Sequence, residues 1–124
     1  MEQAKKQSRP GTQIRKNMLL EKITTYVDGN LTEKITLRDV AEHCSVSVST
    51  VTQLFQKVLN TTFHAYVTQR RMGAAENLIQ DGVPLEEVGR QIGFQDHSSF
   101  YRAFRHNYGM SPREFRKMQK QTDF

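Results

Sequence analysis

PLEEVGRQIGFQDHSSFYRAFRHNYGMSPREF, residues 84–115, reads as a helix, a tight turn, a second helix, and a third helix opened by Ser111-Pro112. The middle helix has two distinct faces. Phe100, Ala103, Phe104 and Tyr108 lie on one side, and Ser98, Tyr101, Arg102 and Arg105 on the other. The second set follows i, i+3, i+4, i+7 spacing, which keeps it on one stripe of a helix. An apolar back and a polar, basic front are what a helix needs to rest on a core and enter a DNA groove.

Upstream, residues 1–13 are polar and basic and contain Arg9-Pro10-Gly11, so a disordered arm is expected there. A leader is the plain alternative to an arm that follows DNA. Without an apolar h-region it does not read as a signal peptide. Ile14, Met18, Ile23, Tyr26 and Val27, flanked by Leu19 and Leu20, mark a first helix from about Gln13 to Val27. Asp28-Gly29-Asn30 stops it, since Gly and Asn tolerate the left-handed C-cap. Thr36 caps a second helix, Leu37 to Cys44, with Asp39 at the capping-box position. Its inner stripe is Leu37, Val40, Ala41 and Cys44. Ser47 caps a third helix, Val48 to about Leu59, with Val51, Leu54, Phe55, Val58 and Leu59 inward and Ser49, Thr52, Gln53 and Gln56 outward.

Asn60-Thr61-Thr62 breaks the chain before a fourth helix, residues 63–80, whose apolar positions are Phe63, Tyr66, Val67, Ala74, Ala75, Leu78 and Ile79. Asp81-Gly82 ends it. Pro84 is expected at the first position of a fifth helix running to Ile92. Asp96 caps the sixth, which stops at Gly109. Ser111, Pro112 and Glu114 open a seventh with a cap, a proline at N1 and an acid at N3. No useful β-alternation appears. The fold class is all-α, with seven helices.

The second and third helices repeat in the fifth and sixth. Leu37, Val40, Ala41 and Cys44 correspond to Leu85, Val88, Gly89 and Ile92. With one extra residue in the second turn, Ser47 pairs with Asp96, Val51 with Phe100 and Phe55 with Phe104. The outer faces also match: Ser49 with Ser98, Thr52 with Tyr101, Gln53 with Arg102, Gln56 with Arg105. One amphipathic helix is ordinary; two units with the same cap, core and outward positions indicate two helix-turn-helix subdomains. They would occupy residues 14–62 and 81–120, joined by residues 63–80 as a long linker helix, with residues 121–124 frayed. About 18 residues of helix span about 27 Å, of the order of the ~34 Å between successive major-groove sites on one face of B-DNA. The two heads differ, so the site should be asymmetric and one molecule should suffice.

The 124 residues carry a net charge of +5, which favours a polyanionic partner. The charge is placed unevenly. Residues 97–120 hold Arg102, Arg105, Arg113, Arg116, Lys117 and Lys120 against Glu114 alone, whereas residues 81–96 are mainly acidic. No apolar run approaches the roughly 18–20 residues of a membrane span. A single cysteine, Cys44, gives neither a disulfide framework nor a metal pair and suits a reducing compartment, with a buried structural thiol expected. His43 and His64 lack partners at ligand spacing and read as surface residues. There is no nucleophile–base pair and no glycine-rich phosphate loop, so neither an enzyme nor a cofactor is indicated.

The second-half pattern Ile92-Gly93-Phe94, Asp96, Ser99-Phe100, Arg102, Phe104 and Gly109-Met110-Ser111-Pro112-Arg113-Glu114-Phe115-Arg116 resembles the AraC/XylS family of bacterial transcription regulators. The first half, Leu37, Ala41, Ser47 and Leu54-Phe55, fits more loosely, and Tyr66-Val67, Arg70-Arg71-Met72 and Ala75 are similar to the family's linker helix. The resemblance covers about residues 18–118, and the small stand-alone activators of the multiple-antibiotic-resistance type are the nearest in architecture. Three positions depart from the family: Ser45 and Asn60 stand where Gly is usual, and Gly89 where Ala is usual.

The resemblance implies that Ser49, Thr52 and Gln53, and His97, Ser98, Tyr101 and Arg102, enter consecutive major grooves. Arg pairs bidentately with guanine and Gln with adenine, so Arg102 and Gln53 are candidate base readers; the alternatives are phosphate contacts or solvated side chains. Gln56 and Arg105 complete the outward stripes. Arg105, His106 and Lys57 suit phosphates better than bases. Arg70 and Arg71 pair with acids or follow the DNA backbone. The expectation is a bacterial cytoplasmic DNA-binding regulator, an activator, with double-stranded DNA and RNA polymerase as partners. The rivals are a protein-interaction module of the same fold, favoured by the single charge, Lys57, on the third helix, and the output domain of a larger sensor.

Overall fold

The structure, a computed structural model, describes residues 10–122. The helices are α1 (Pro10–Gly29), α2 (Leu37–Cys44), α3 (Val48–Leu54), α4 (Phe63–Gln80), α5 (Leu85–Gln91), α6 (His97–Tyr108) and α7 (Pro112–Thr122). A π-helical turn, Phe55–Leu59, extends α3. Among the described residues there are thus seven α-helices and no strand, the all-α architecture expected. Expectations for residues 1–9 and 123–124 fall outside the described residues. Pro10–Gln13, read from sequence as part of a disordered arm, are helical: Pro10 fits a first turn, where its missing N–H leaves no bond unmade. The last helix likewise continues to Thr122.

The chain forms two compact units. Of the described residues, one takes in 10–30 and Ile35–Ala65; the other takes Leu31–Lys34 and 66–122. Most of α4 therefore belongs to the second unit, and three of its side chains, Met72, Ala75 and Ile79, are part of that unit's core.

In the first unit, Thr36 and Asp39 form a reciprocal capping box. The Asp39 N–H donates to Thr36 Oγ1 at 3.1 Å, and the Thr36 N–H donates to Asp39 Oδ2 at 3.0 Å. Ile23, Val27, Val40, Ala41, Cys44, Val51, Leu54 and Phe55 are buried. Two inward assignments on α1 are corrected: Ile14 and Met18 are 58% and 61% exposed, so the buried stripe begins further along the helix. Val58, also read as inward, is 46% exposed. Bonding from i to i+5 turns each residue through a smaller angle than an α-helix does, and this rotates Val58 off the inner face. The turn closes at Asn60, whose N–H and that of Thr61 both donate to the Phe55 carbonyl.

The second unit is built on aromatic rings. Phe100 and Phe104 are fully buried beside Val88 and Ile92, with Phe94, Tyr108 and Phe115 packed against them. Phe104 lies 4.3 Å from Tyr108, 5.4 Å from Phe115 and 5.8 Å from Phe100, centroid to centroid. Gly89 makes room for this cluster: a Cβ on it would stand 2.5 Å from Phe100 Cβ. Pro84 is the N-cap of α5, not its first residue as expected from sequence. Its extended ψ of 134° leaves its carbonyl to accept the Glu87 and Val88 N–H groups. Ser111 and Glu114 form the cap of α7, with bonds of 2.8 and 3.1 Å. Arg116, counted from sequence with the positive charge on and after the sixth helix, donates to the Ile79 carbonyl in the last turn of α4 and to the Val83 carbonyl just after it.

The repeat extends into the backbone turns. Ser45 (φ 57°) and Gly93 (φ 100°) hold equivalent left-handed positions between the two helices of each motif, and Asn60 (φ 52°) and Gly109 (φ 71°) end the two outer helices in the same conformation. Thr62, which accepts the Ala65 N–H, opens α4 at the place where Ser111 opens α7.

Candidate nucleic-acid interface

The two candidate reading helices start alike. Ser47 Oγ accepts the Thr50 N–H at 3.0 Å at the head of α3, and Asp96 Oδ1 accepts the Ser99 N–H at 2.7 Å at the head of α6. Each cap satisfies a backbone donor left over at a helix start. Each helix is then fixed from behind by buried side chains: Val51 and Leu54 in α3 with Phe55 at the start of the π turn, and Phe100 and Phe104 in α6. What is fixed behind determines what projects in front.

On α3, Ser49 and Gln53 are exposed and Thr52 is half-buried, with Gln56 exposed on the following π turn. On α6, His97, Ser98, Arg102 and Arg105 are exposed and Tyr101 is half-buried. Each set of outward candidates thus shares one face of one unit. Tyr101 leans toward the core edge, its ring meeting His97 edge-on at 5.9 Å, while His97 also sits 6.3 Å from Phe100. The Ser99 N–H bond, with smaller contributions from the Arg102 and His97 charges, holds the Asp96 carboxyl below the usual carboxylate range. The α6 head therefore keeps an ionised cap beside its basic residues, whereas the α3 head has a neutral one.

The electrostatic difference between the faces is as the sequence indicates: Arg102 and Arg105 on one, polar uncharged groups on the other. One exposed residue was not among the candidates. Val48, the first residue of α3, is 41% exposed and occupies the repeat position of His97; matching the two helices from their caps would have found it. His43 and His64 are exposed as expected, His43 stacking on Tyr26 at 4.4 Å. Cys44 is buried, and burial pushes its thiol up. Among the described residues no cluster of His, Cys, Asp and Glu could hold a metal ion, and no helix is long and apolar enough to cross a membrane. Arg71, for which acids or the DNA backbone are the partners expected from sequence, donates to the Leu31 and Glu33 carbonyls at 3.1 and 2.9 Å.

A helix-turn-helix domain family matches residues 40–118. The regulator LumQ of Photobacterium leiognathi, described as a probable transcriptional regulator, is 35% identical over 102 residues, covering 82% of this chain and 40% of its own length. The HTH-type transcriptional activator AarP of Providencia stuartii is 27% identical over 110 residues, covering 88% of this chain and 81% of its own. The chain spans less than half the length of several curated relatives it matches. Among solved structures, an AraC-type DNA-binding-domain regulator from Chromobacterium violaceum superposes with a TM-score of 0.79 at 24% identity, covering 85% of this chain and 95% of that one. The DNA-binding domain of AdpA, solved with a target DNA, gives 0.76 at 20% identity over 85% and 95% of the two chains. These two likenesses establish the shared fold. Together with the sequence match across both motifs, they show that the chain belongs to the AraC/XylS family of helix-turn-helix transcription regulators.

Proposed function

We propose that this chain binds double-stranded DNA sequence-specifically as a transcription activator, with α3 and α6 each reading a major-groove segment of one asymmetric site. The observation that carries this is the repeated outer face. Two capped helices, each with a buried back, carry exposed Ser49, Gln53 and Gln56 with half-buried Thr52 in one unit, and exposed Ser98, Arg102 and Arg105 with half-buried Tyr101 in matching positions in the other. His97 joins the second set from the first position of α6. Arg102 is assigned to guanine and Gln53 to adenine by their bidentate chemistry. Arg105, Lys57, Arg113 and Lys117 supply phosphate contacts and the salt-dependent part of affinity.

Activation, and with it an RNA polymerase partner, is supported by the likeness to AarP. Binding as one molecule is supported by the inequality of the two faces, and a cytoplasmic setting by the DNA target. The nearly uncharged α3 face favours one competing reading, a protein-docking module. Selection from a random duplex pool separates the two. The DNA reader enriches a non-palindromic motif with two specified blocks; a docking module enriches none.

A further inference from the structure

Arg71 is a half-buried charged side chain, and its guanidinium has four neighbours within its own compact unit. Nε donates to the Leu31 carbonyl at 3.1 Å and Nη2 to the Glu33 carbonyl at 2.9 Å. Its Cζ lies over the Phe94 ring, 5.9 Å from the ring centroid. Partial burial lowers its pKa without approaching neutrality. The fourth neighbour is the backbone of Gly93, packed so closely that a Cβ there would collide with the Leu31 carbonyl oxygen and stand 2.9 Å from both Cζ and Nε of Arg71.

The group is a lock on a turn. Leu31–Glu33, which lie between α1 and α2 in sequence, are held by the arginine fork over Gly93-Phe94, the turn that leads into α6. Phe94 in turn packs on Phe100 at 5.7 Å, and Phe100 is the buried back of the α6 face. An arginine has five donors in a rigid planar fork that can bond two carbonyls and stack on a ring simultaneously, which the point charge of a lysine cannot reproduce. Resting on the DNA-reading assignment above, we propose that Arg71 is a positioning residue for the α6 reading head, setting its orientation through Gly93, Phe94 and Phe100 without touching DNA.

The test uses the whole chain and a duplex carrying the selected site, with every base pair replaced in turn. Arg102→Ala identifies the block read by α6. In the parent, a replacement within a read block weakens binding on the order of tenfold. In Arg71→Ala, replacements in the α6 block should cost about threefold or less, while those in the other block keep their full effect. Arg71→Lys should fall between the two. The dependence of affinity on salt should match the parent, because no phosphate contact is lost. Binding is measured where circular dichroism shows each variant folded; should Arg71→Ala not fold, Arg71→Lys and Phe94→Leu carry the test. An equal loss across both blocks would overturn the proposal, as would a salt dependence shallower by about one phosphate. A parent that enriches no motif would instead overturn the DNA-reading assignment on which the proposal rests.

Discussion

The first helix-turn-helix motif and the second share a pattern but satisfy it with different residues. Where the backbone turns left-handed, the second has Gly93 and Gly109 and the first has Ser45 and Asn60. A residue with a Cβ in that conformation costs roughly 1–2 kcal/mol, less for Asn. Gly89 packs against Phe100 in the second motif, Ala41 and Val51 hold the repeat positions in the first, and all four are buried. The larger Phe100 fits because the residue opposite it, Gly89, carries no Cβ. The ends of the outer helices also differ, α6 remaining α-helical to Tyr108 while α3 relaxes into a π turn over the same number of residues. One arrangement thus has glycines at its left-handed turns, a larger aromatic cluster and a basic outer face; the other has fewer buried rings, costlier turns and a nearly neutral face.

The largest effect should come from exchanging the turn residues. Gly93→Ala adds the left-handed cost to a collision with the Leu31 carbonyl and should destabilise by roughly 2–4 kcal/mol in urea unfolding. The reverse exchange, Ser45→Gly, should be neutral or stabilise by up to about 1 kcal/mol. Equal effects of the two would mean that the turns are not under different strain. Next comes the packing exchange. Gly89→Ala should cost about 1–3 kcal/mol by overpacking Phe100. Combined with Phe100→Val, the first motif's own pairing, it should cost clearly less than the two single changes summed. Strict additivity would break the volume-exchange reading.

On DNA, Arg102→Ala should lose about 1–3 kcal/mol of discrimination in one block. Gln53→Ala should lose about 1 kcal/mol in the other, and Lys120→Ala should change little. The smallest contrast is in the caps. The Asp96 carboxyl titrates below its unfolded value, so its capping contribution is complete above about pH 4 and is lost as pH falls through the depressed value. Ser47 does not titrate. The Ser99 amide should therefore lose protection from hydrogen exchange toward pH 3 relative to the Thr50 amide, and Asp96→Asn should abolish the difference.

Much of this organisation was legible in the chain because local chemistry decides it. Thr36 with Asp39, Ser47, Asp96 and Ser111 with Glu114 are caps that identify helix starts within a residue, and Gly109 marks an end. Pro84 misled by one position because proline suits both the N-cap and the first turn. Other features depend on partners that sequence does not place. Val58 follows the α-helical period but lies beyond a change of helical pitch. Ile14 and Met18 continue a stripe that the core does not reach. Nothing local to Arg71 or Arg116 shows that they bond carbonyls more than 35 residues away in sequence. For the candidate interface, the repeat made both outer faces visible in advance. It also pointed to Val48, which went unread because an apolar residue at a helix start looks like core.

Whether both faces read bases is tested most directly by selecting bound duplexes from a random pool with the parent, Arg102→Ala and Gln53→Ala. Two specified, non-palindromic blocks are expected, one erased by the arginine change and the other weakened by the glutamine change. A single block, or a motif indifferent to Arg102, would contradict a pair of reading heads in one chain.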